Sequence, residues 1–391
     1  MSANNHHARY AHIVGWGKYV PPNVMTNEEL AKKVDTSDAW IRERTGIRER
    51  RIATKETTAS MALYAAQEAI EVADVDPNDI DLVIVATSSP EFIFPATASI
   101  VQDQLGACNA GAFDLSAACS GFVYGIGLAA GMIRSGIHNN VLVIGSETFS
   151  KLLNWKDRAT CILFGDGAGA VLLQGSDEYG GILSSVLGSD GSGGELLEIP
   201  AGGSKNPTSI ETVMANMHFV KMNGREVYRF ATRIMVDATK EALEKANIPA
   251  EELDLLIPHQ ANTRIIDYAA KALNLPPSKV FVNLEKYGNT SAASIPIALV
   301  EAIEDKRVNP GDHLVFVGFG AGLSWGACAL EWTEPTIRRA TTPQRAAQSK
   351  LRYQWSHVKS LGHRVLRRVD AGVSRTLDRI EGKKNGNGHE E

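Results

Sequence analysis

Two apolar patterns alternate along the chain. Short unbroken runs such as "LVIVAT" from Leu82 and "VLVIG" from Val141 are rich in β-branched residues. They are too short for helices and predict strands buried on both faces. Between such runs lie segments of helical period, "TASMALYAAQEAIEVA" from Thr58 and "YRFATRIMVDATKEALEKA" from Tyr228. The alternation predicts an α/β fold with mostly parallel sheets under helices. "IVGWGKYVPPN" from Ile13 reads as a short strand ending in a turn.

The pattern repeats. "EAIEVADVDPNDIDLVIVATSS" from Glu68 parallels "EALEKANIPAEELDLLIPHQAN" from Glu241, an offset of 173 residues. The same offset carries "SAACSG" at Ser116 onto "NTSAAS" at Asn289, and "NNVLVIG" at Asn139 onto "DHLVFVG" at Asp312. One gapless offset over three elements implies a duplicated unit. Two related halves predict two sheets packed about a shared helical layer, with a pseudo-twofold axis between them. The expected division is a flexible N-terminus over 1–12, a first half over 13–176, a second over 177–333 and an extension over 334–391. The stretch from Ser189 to Ser209 is rich in Gly, Ser and Pro; it is either a cover over a site or a plain insertion.

Charge changes the picture at one end only. The whole chain has 391 residues and a formal net charge of −5, which argues against nucleic acid as a partner. From Glu334 onward, however, 13 Lys/Arg stand against 6 Asp/Glu. Leu351, Trp355, Val358, Val365, Val369, Val373, Leu377 and Ile380 recur there at helical spacing among the basic residues. Such a basic amphipathic tail fits a peripheral membrane contact, a partner contact or a loosely ordered segment. Removing everything after Trp332 is expected to leave the chemistry intact. No apolar run approaches a membrane span and no signal peptide is legible, so a cytoplasmic location is expected. The four cysteines, Cys108, Cys119, Cys161 and Cys328, form no metal or redox motif.

The repeat also exposes chemistry. Cys119 falls opposite Ala292, His259 opposite Ala86 and Asn289 opposite Ser116. Cys119 follows the strand-like "AFDLS" and opens a helix among small neighbours. It is either an inert buried thiol or a nucleophile whose thiolate the helix N-terminus favours. His259 follows a buried strand and a proline, with Gln260, Asn262 and Arg264 beside it, where α/β folds place chemistry. A half-buried structural histidine is the alternative. Asn289 reads as a helix cap or a donor. Strand ends from two halves would converge at the axis, so the three groups could share a pocket. The glycines of "VGFGAGLSWGACAL" could aim backbone amides at an oxyanion. "FGDGAGA" lacks a following helix and reads as glycine packing on neighbouring backbone, between strand-like "CILF" and "AVLLQ".

Taken together, "AACSGF", "PHQANTRII" and "GNTSAAS" resemble 3-oxoacyl-[acyl-carrier-protein] synthase III, and "DAWIRERTGIRERR" and "FGDGAGAVLL" extend the likeness from about Ile13 to Trp332. The resemblance implies the thiolase-like five-layered α-β-α-β-α fold, a homodimer, and no metal or organic cofactor. It implies decarboxylative condensation of an acyl-CoA with malonyl-acyl carrier protein. Cys119 would be the nucleophile, with His259 and Asn289 activating the malonyl thioester. The amide of Cys119 and one near Gly320 and Ala321 would hold the oxyanion; Ala321 stands where many relatives have glycine. Thr36, Trp40, Arg44 and Arg158 would contact the CoA nucleotide and Asn262 its pantetheine. Phe94 would close the partner subunit's acyl pocket. Arg225, Arg229 and Arg233, one ridge on a helix, would dock the acidic carrier protein with Gln260 and Arg264. Rival readings are a polyketide or secondary-lipid synthase on the same fold, and a non-catalytic partner subunit. A thiolase would require a second cysteine at the C-terminal glycine turn, and Cys328 lies inside a strand-like run. A hydroxymethylglutaryl-CoA synthase would require a glutamate that the sequence does not place.

Overall fold

A computed structural model describes residues 9–333. The basic tail and the first eight residues lie outside the described residues, and so does every expectation placed on them. The first strand starts at Tyr10, ahead of the boundary expected after residue 12.

Two sheets form the frame. The first runs β5-β4-β6-β7-β1, with β1 Tyr10–Tyr19, β4 Leu82–Ala86, β5 Gly111–Leu115, β6 Asn140–Glu147 and β7 Gly167–Ser176. The second runs β11-β12-β13-β8, with β8 Gly181–Ser189, β11 Leu253–Pro258, β12 His313–Gly320 and β13 Ser324–Glu331. Two ribbons flank them: β2 (Val24–Thr26) with β3 (Glu49–Arg51), and β9 (Leu197–Glu198) with β10 (Lys221–Met222). The sheets are mixed rather than mostly parallel. β4 is parallel to β5 and β6, and β11 to β12, but β7, β1, β13 and β8 join antiparallel. Apolar runs report burial on both faces, not strand direction, so the pattern did not carry this distinction.

Three apolar clusters account for five layers. α3 (Thr58–Ala73) and α4 (Thr97–Leu105) cover the outer face of the first sheet, and α8 (Gly224–Ala246) and α9 (Thr263–Ala272) that of the second. α5 (Gly121–Arg134) and α11 (Ser294–Glu304) fill the space between the sheets. Strand alternation divides the side chains: Leu82 and Ile84 of β4 enter the central cluster, Val83 and Val85 the outer one. That two-sided burial is why the strands read as unbroken apolar runs.

The 173-residue offset holds in detail. β6 maps onto β12 at both ends, and the 3₁₀ turn Ala118–Ser120 onto Ser291–Ala293. Ala118 (φ 47°) and Ser291 (φ 51°) share a left-handed backbone, as do the helix ends at Asp74 (φ 53°) and Asn247 (φ 55°). Shorter helices complete the chain: α1 (Asn27–Ala31), α2 (Asp38–Thr45), α6 (Arg158–Cys161), α7 (Ile210–Met214) and α10 (Leu284–Tyr287). Helix α6 shows that "CILF" is a helix end and turn, not a strand. The glycines after it do pack on backbone: a Cβ on Gly165 would lie 2.2 Å from the Tyr287 carbonyl oxygen. No helix among the described residues is long and apolar enough to cross a membrane.

Candidate active site

The two 3₁₀ turns meet at the pseudo-axis, each against a glycine of the other half. A Cβ on Gly145 would sit 2.2 Å from the Ala292 carbonyl oxygen, and one on Gly318 3.3 Å from that of Cys119. This crossing brings residues from both halves to one cavity, which Cys119, His259, Asn289, Asn262, Phe319 and Gly320 help to line. Cys119 also borders a second cavity with Phe149, Leu197, Ile199 and Val220. The thiol therefore stands where two spaces join. Leu197 and Ile199 show that the Gly/Ser/Pro stretch covers the site; β9 and β10 pin it there.

Each of the three groups is held. Asn289 is clamped through its backbone, its N–H donating to Leu163 O (2.8 Å) and its carbonyl accepting from Gly165 N (3.0 Å). Its Oδ1 accepts from the Ser291 amide at 2.8 Å, which leaves Nδ2 for the cavity and the thiol. The His259 amide donates to Val317 O across the parallel pair, at 2.8 Å. His259 Nδ1 lies 2.6 Å from Ser294 Oγ, and that oxygen accepts from Gln260 N at 3.4 Å. The Ser294 hydroxyl hydrogen then goes to Nδ1, and the ring hydrogen is assigned to Nε2. Nε2 has no hydrogen-bond partner among the described residues. Phe319 packs edge-on against the ring.

Burial decides the protonation states. It pushes the His259 imidazolium down to about 3, so the ring is a neutral donor at physiological pH. It pushes the Cys119 thiol up to about 12, against hydrogen bonds from Ser291 and Asn289 that lower it. The expected thiolate is thus corrected for the free protein. A helix terminus contributes at most about 2 kcal/mol, whereas full desolvation shifts a pKa by up to roughly 3–5 units.

The remaining expected residues divide. Trp40 is half-buried, with Arg158 Cζ 5.0 Å and Arg44 Cζ 5.8 Å from its ring. Arg158 also pairs with Asp35, and Thr36 Oγ1 is buried without a hydrogen-bond partner among the described residues. Asn262 caps α9 and donates to Arg44 O (3.0 Å), which ties this cluster to the cavity. Ala321 has none of the turn's positive φ, which falls on Gly322 (143°), so its methyl adds no backbone strain. Arg225, Arg229 and Arg233 are exposed along α8, and Arg264 lies over Tyr228 nearby. Phe94 is not a core aromatic: it is 84 % exposed. Gln260 corrects the expectation of a docking contact. It is 1 % exposed, donates to Pro258 O and Phe281 O, and accepts from Asn283 N. It braces the loop behind His259. Cys161 and Cys328 are buried, and burial pushes both thiols up.

Sequence reasoning missed Ser291, Ser294, Phe319 and Glu147. Glu147 had a signal: a lone carboxylate closes the apolar run "VLVIGSE".

The comparisons with known proteins point to one family. The family model described as 3-oxoacyl-[acyl-carrier-protein (ACP)] synthase III matches residues 113–191, and that for its C-terminal part matches 243–332. A beta-ketoacyl-[acyl-carrier-protein] synthase III of Desulfitobacterium hafniense is 55 % identical over 323 residues, 82 % of this chain and 98 % of the relative. The crystal structure of the 3-oxoacyl-[acyl-carrier-protein] synthase III of Aquifex aeolicus superposes with a TM-score of 0.77 at 49 % identity, covering 82 % of this chain and 100 % of that one. The priming β-ketosynthase of the R1128 polyketide pathway gives a TM-score of 0.79 at 37 % identity, covering 86 % and 100 %. The chain belongs to the 3-oxoacyl-[acyl-carrier-protein] synthase III family.

Proposed function

We propose that this protein condenses an acyl-CoA primer with malonyl-acyl carrier protein, starting fatty-acid synthesis. The observation that carries the reading is the single cavity shared by the Cys119 thiol, the His259 ring and the Asn289 carboxamide. Cys119 sulfur attacks the acyl-CoA carbonyl, and the tetrahedral oxyanion rests on the Cys119 amide and an amide of the Gly320–Ala321 segment. A Cβ on Gly320 would come within 2.6 Å of Cys119 N, so a side chain there would intrude on that amide. CoA leaves and an acyl-cysteine remains.

Malonyl-acyl carrier protein then enters. His259 Nε2–H and Asn289 Nδ2–H donate to its thioester carbonyl while CO₂ departs. The carbon–carbon bond's electrons pass into an enolate held by those two donors. Neutral donors suit this step, because the leaving CO₂ carries no charge away. The enolate attacks the acyl-cysteine carbonyl, the bond from that carbon to Cys119 sulfur breaks, and the thiolate takes a proton from solvent, giving 3-oxoacyl-acyl carrier protein and the free Cys119 thiol. The apolar cavity of Phe149, Leu197, Ile199 and Val220 takes the acyl chain, closed by Phe94 of a second copy in a homodimer. The Trp40, Arg44, Arg158 and Thr36 cluster takes the CoA nucleotide, and Asn262 its arm. The Arg225, Arg229, Arg233 and Arg264 patch takes the acidic carrier.

A polyketide priming synthase is the second reading, favoured by the likeness to the R1128 enzyme; it differs in primer, not in chemistry. The test is intact mass after mixing with a panel of acyl-CoA primers, then with malonyl-acyl carrier protein. The expected result is one acyl group on Cys119 and a 3-oxoacyl carrier product. Folded protein that takes no acyl group from any primer overturns the reading.

A further inference from the structure

An acyl transfer to a neutral, buried thiol leaves a proton to be placed. His259 is poorly suited to take it: burial pushes the imidazolium down to about 3, and the ring hydrogen is assigned to Nε2, with Nδ1 taken up by Ser294. The thiol points elsewhere. Cys119 Sγ donates to Ser291 Oγ at 3.4 Å. Glu147, fully buried, is the last residue of β6, the strand that packs on the Ser291–Ala293 turn. Ser291 and the Ala292 amide are among the neighbours that favour its carboxylate form.

Glu147 is held from the other direction by the segment after β4. Ser89 Oγ donates to Oε2 at 2.5 Å, Thr87 Oγ1 to Oε2 at 3.3 Å, and the Ser88 amide to both oxygens at 3.0 and 3.1 Å. No cation pairs with it among the described residues. Among the described residues, Cys119 is the titratable group that faces it; its other neighbours are hydroxyls and amides. Burying a carboxylate among neutral donors costs several kcal/mol that a structural role does not require.

We propose that Ser291 and Glu147 are a proton relay for Cys119. The inference rests on the acyl-transfer reading above. As the sulfur–carbon bond forms, the thiol proton passes to Ser291 Oγ, and the Ser291 hydroxyl proton passes to the Glu147 carboxylate. As the bond from carbon to CoA sulfur breaks, the proton returns through the same hydroxyl to that sulfur. During acyl transfer one negative charge moves from the carboxylate to the carbonyl oxygen and returns to the carboxylate as CoA leaves as the thiol, so this half-reaction never holds two. Ser291 touches the nucleophile; Glu147 is a positioning residue that acts through it. Burial pushes the Glu147 carboxyl up to about 7, far closer to the thiol than the imidazole is.

The test compares the wild type with Glu147→Gln, Ser291→Ala and the double variant from about pH 5 to about pH 9. Two rates are read: alkylation of Cys119 by iodoacetamide, which needs no acyl substrate, and acyl-adduct formation from acetyl-CoA. The relay requires the carboxylate form, so both wild-type rates rise through about pH 7, where Glu147 ionises. Glu147→Gln is expected to slow both by about 10²-fold above that point and to abolish the inflection. Ser291→Ala is expected to lose the same inflection. Alanine fits that left-handed position, since Ala118 occupies its counterpart. Acting in series, the double variant is no slower than the slower single one. A folded Glu147→Gln or Ser291→Ala that keeps the wild-type inflection overturns the relay, as do multiplicative losses in the double variant. Wild type that alkylates with the inflection but never takes an acyl group overturns the proposed function and leaves the relay standing.

Discussion

The two halves of this molecule share a backbone and divide the chemistry. Each carries a strand, a 3₁₀ turn with a left-handed first residue, and a helix into the central layer. At the turn, one half places Cys119 and the other Ala292. At the end of β6 stands Glu147, and at the matching end of β12 stands Gly320. The half that bears Cys119, the proposed nucleophile, also bears the Glu147 carboxylate. The half that bears His259 and Asn289 supplies a glycine whose lack of a side chain leaves room at the Cys119 amide. Duplication thus provides two equivalent positions for every role, and each is used once.

The widest test of that division separates the two half-reactions. Cys119→Ala should abolish the acyl adduct and lower condensation by at least about 10⁴-fold. His259→Ala or Asn289→Ala should still form the adduct and lose about 10²–10³-fold in malonyl decarboxylation, as expected for removal of one oxyanion donor. Intact mass and CO₂ release distinguish the outcomes; an adduct lost in all three variants would erase the distinction between halves.

The paired glycines sharpen it. A methyl on Gly320 would meet Cys119 N at 2.6 Å, and one on Gly145 would meet Ala292 O at 2.2 Å. Gly320→Ala should slow acylation by about 10²-fold, while Gly145→Ala should lower stability by about 1–3 kcal/mol through overpacking. Acylation kinetics and denaturant midpoints on both variants check this. Equal loss of acylation in the two would mean that the site does not tell its halves apart.

The halves also differ in sign in the pH dependence of stability. His259 is held down to about 3, so the unfolded chain binds the extra proton first and stability is lost as pH falls below about 6.5. Glu147 is held up to about 7, so the folded state keeps its proton longer and stability is lost as pH rises from about 4.5 through 7. Unfolding midpoints against pH should lose the acid slope in His259→Gln and the upper slope in Glu147→Gln, each a matter of a few kcal/mol. Slopes unchanged in both variants would remove the buried groups from the account.

The duplication, the buried strands and the long helices were legible because they depend on local pattern; the Cys-His-Asn set was drawn from the resemblance, since the residues alone left each of the three an inert alternative. α3 spans the segment whose apolar period predicted it, and α8 adds one turn ahead of its own. Gln260 was misjudged because polarity in sequence says nothing of orientation: its amide turns inward to Pro258, Phe281 and Asn283. Phe94 carries the opposite lesson, an apolar side chain standing 84 % exposed.

The sequence by itself determined the repeat, the layers and which side chains carry reactive groups, since period and composition are properties of neighbours along the chain. Only the tertiary structure decided strand direction, the meeting of the two turns on each other's glycines, and the charge states at that meeting. Desolvation depends on everything packed around a group, and the neighbours that bury Cys119, His259 and Glu147 come from segments far apart in sequence.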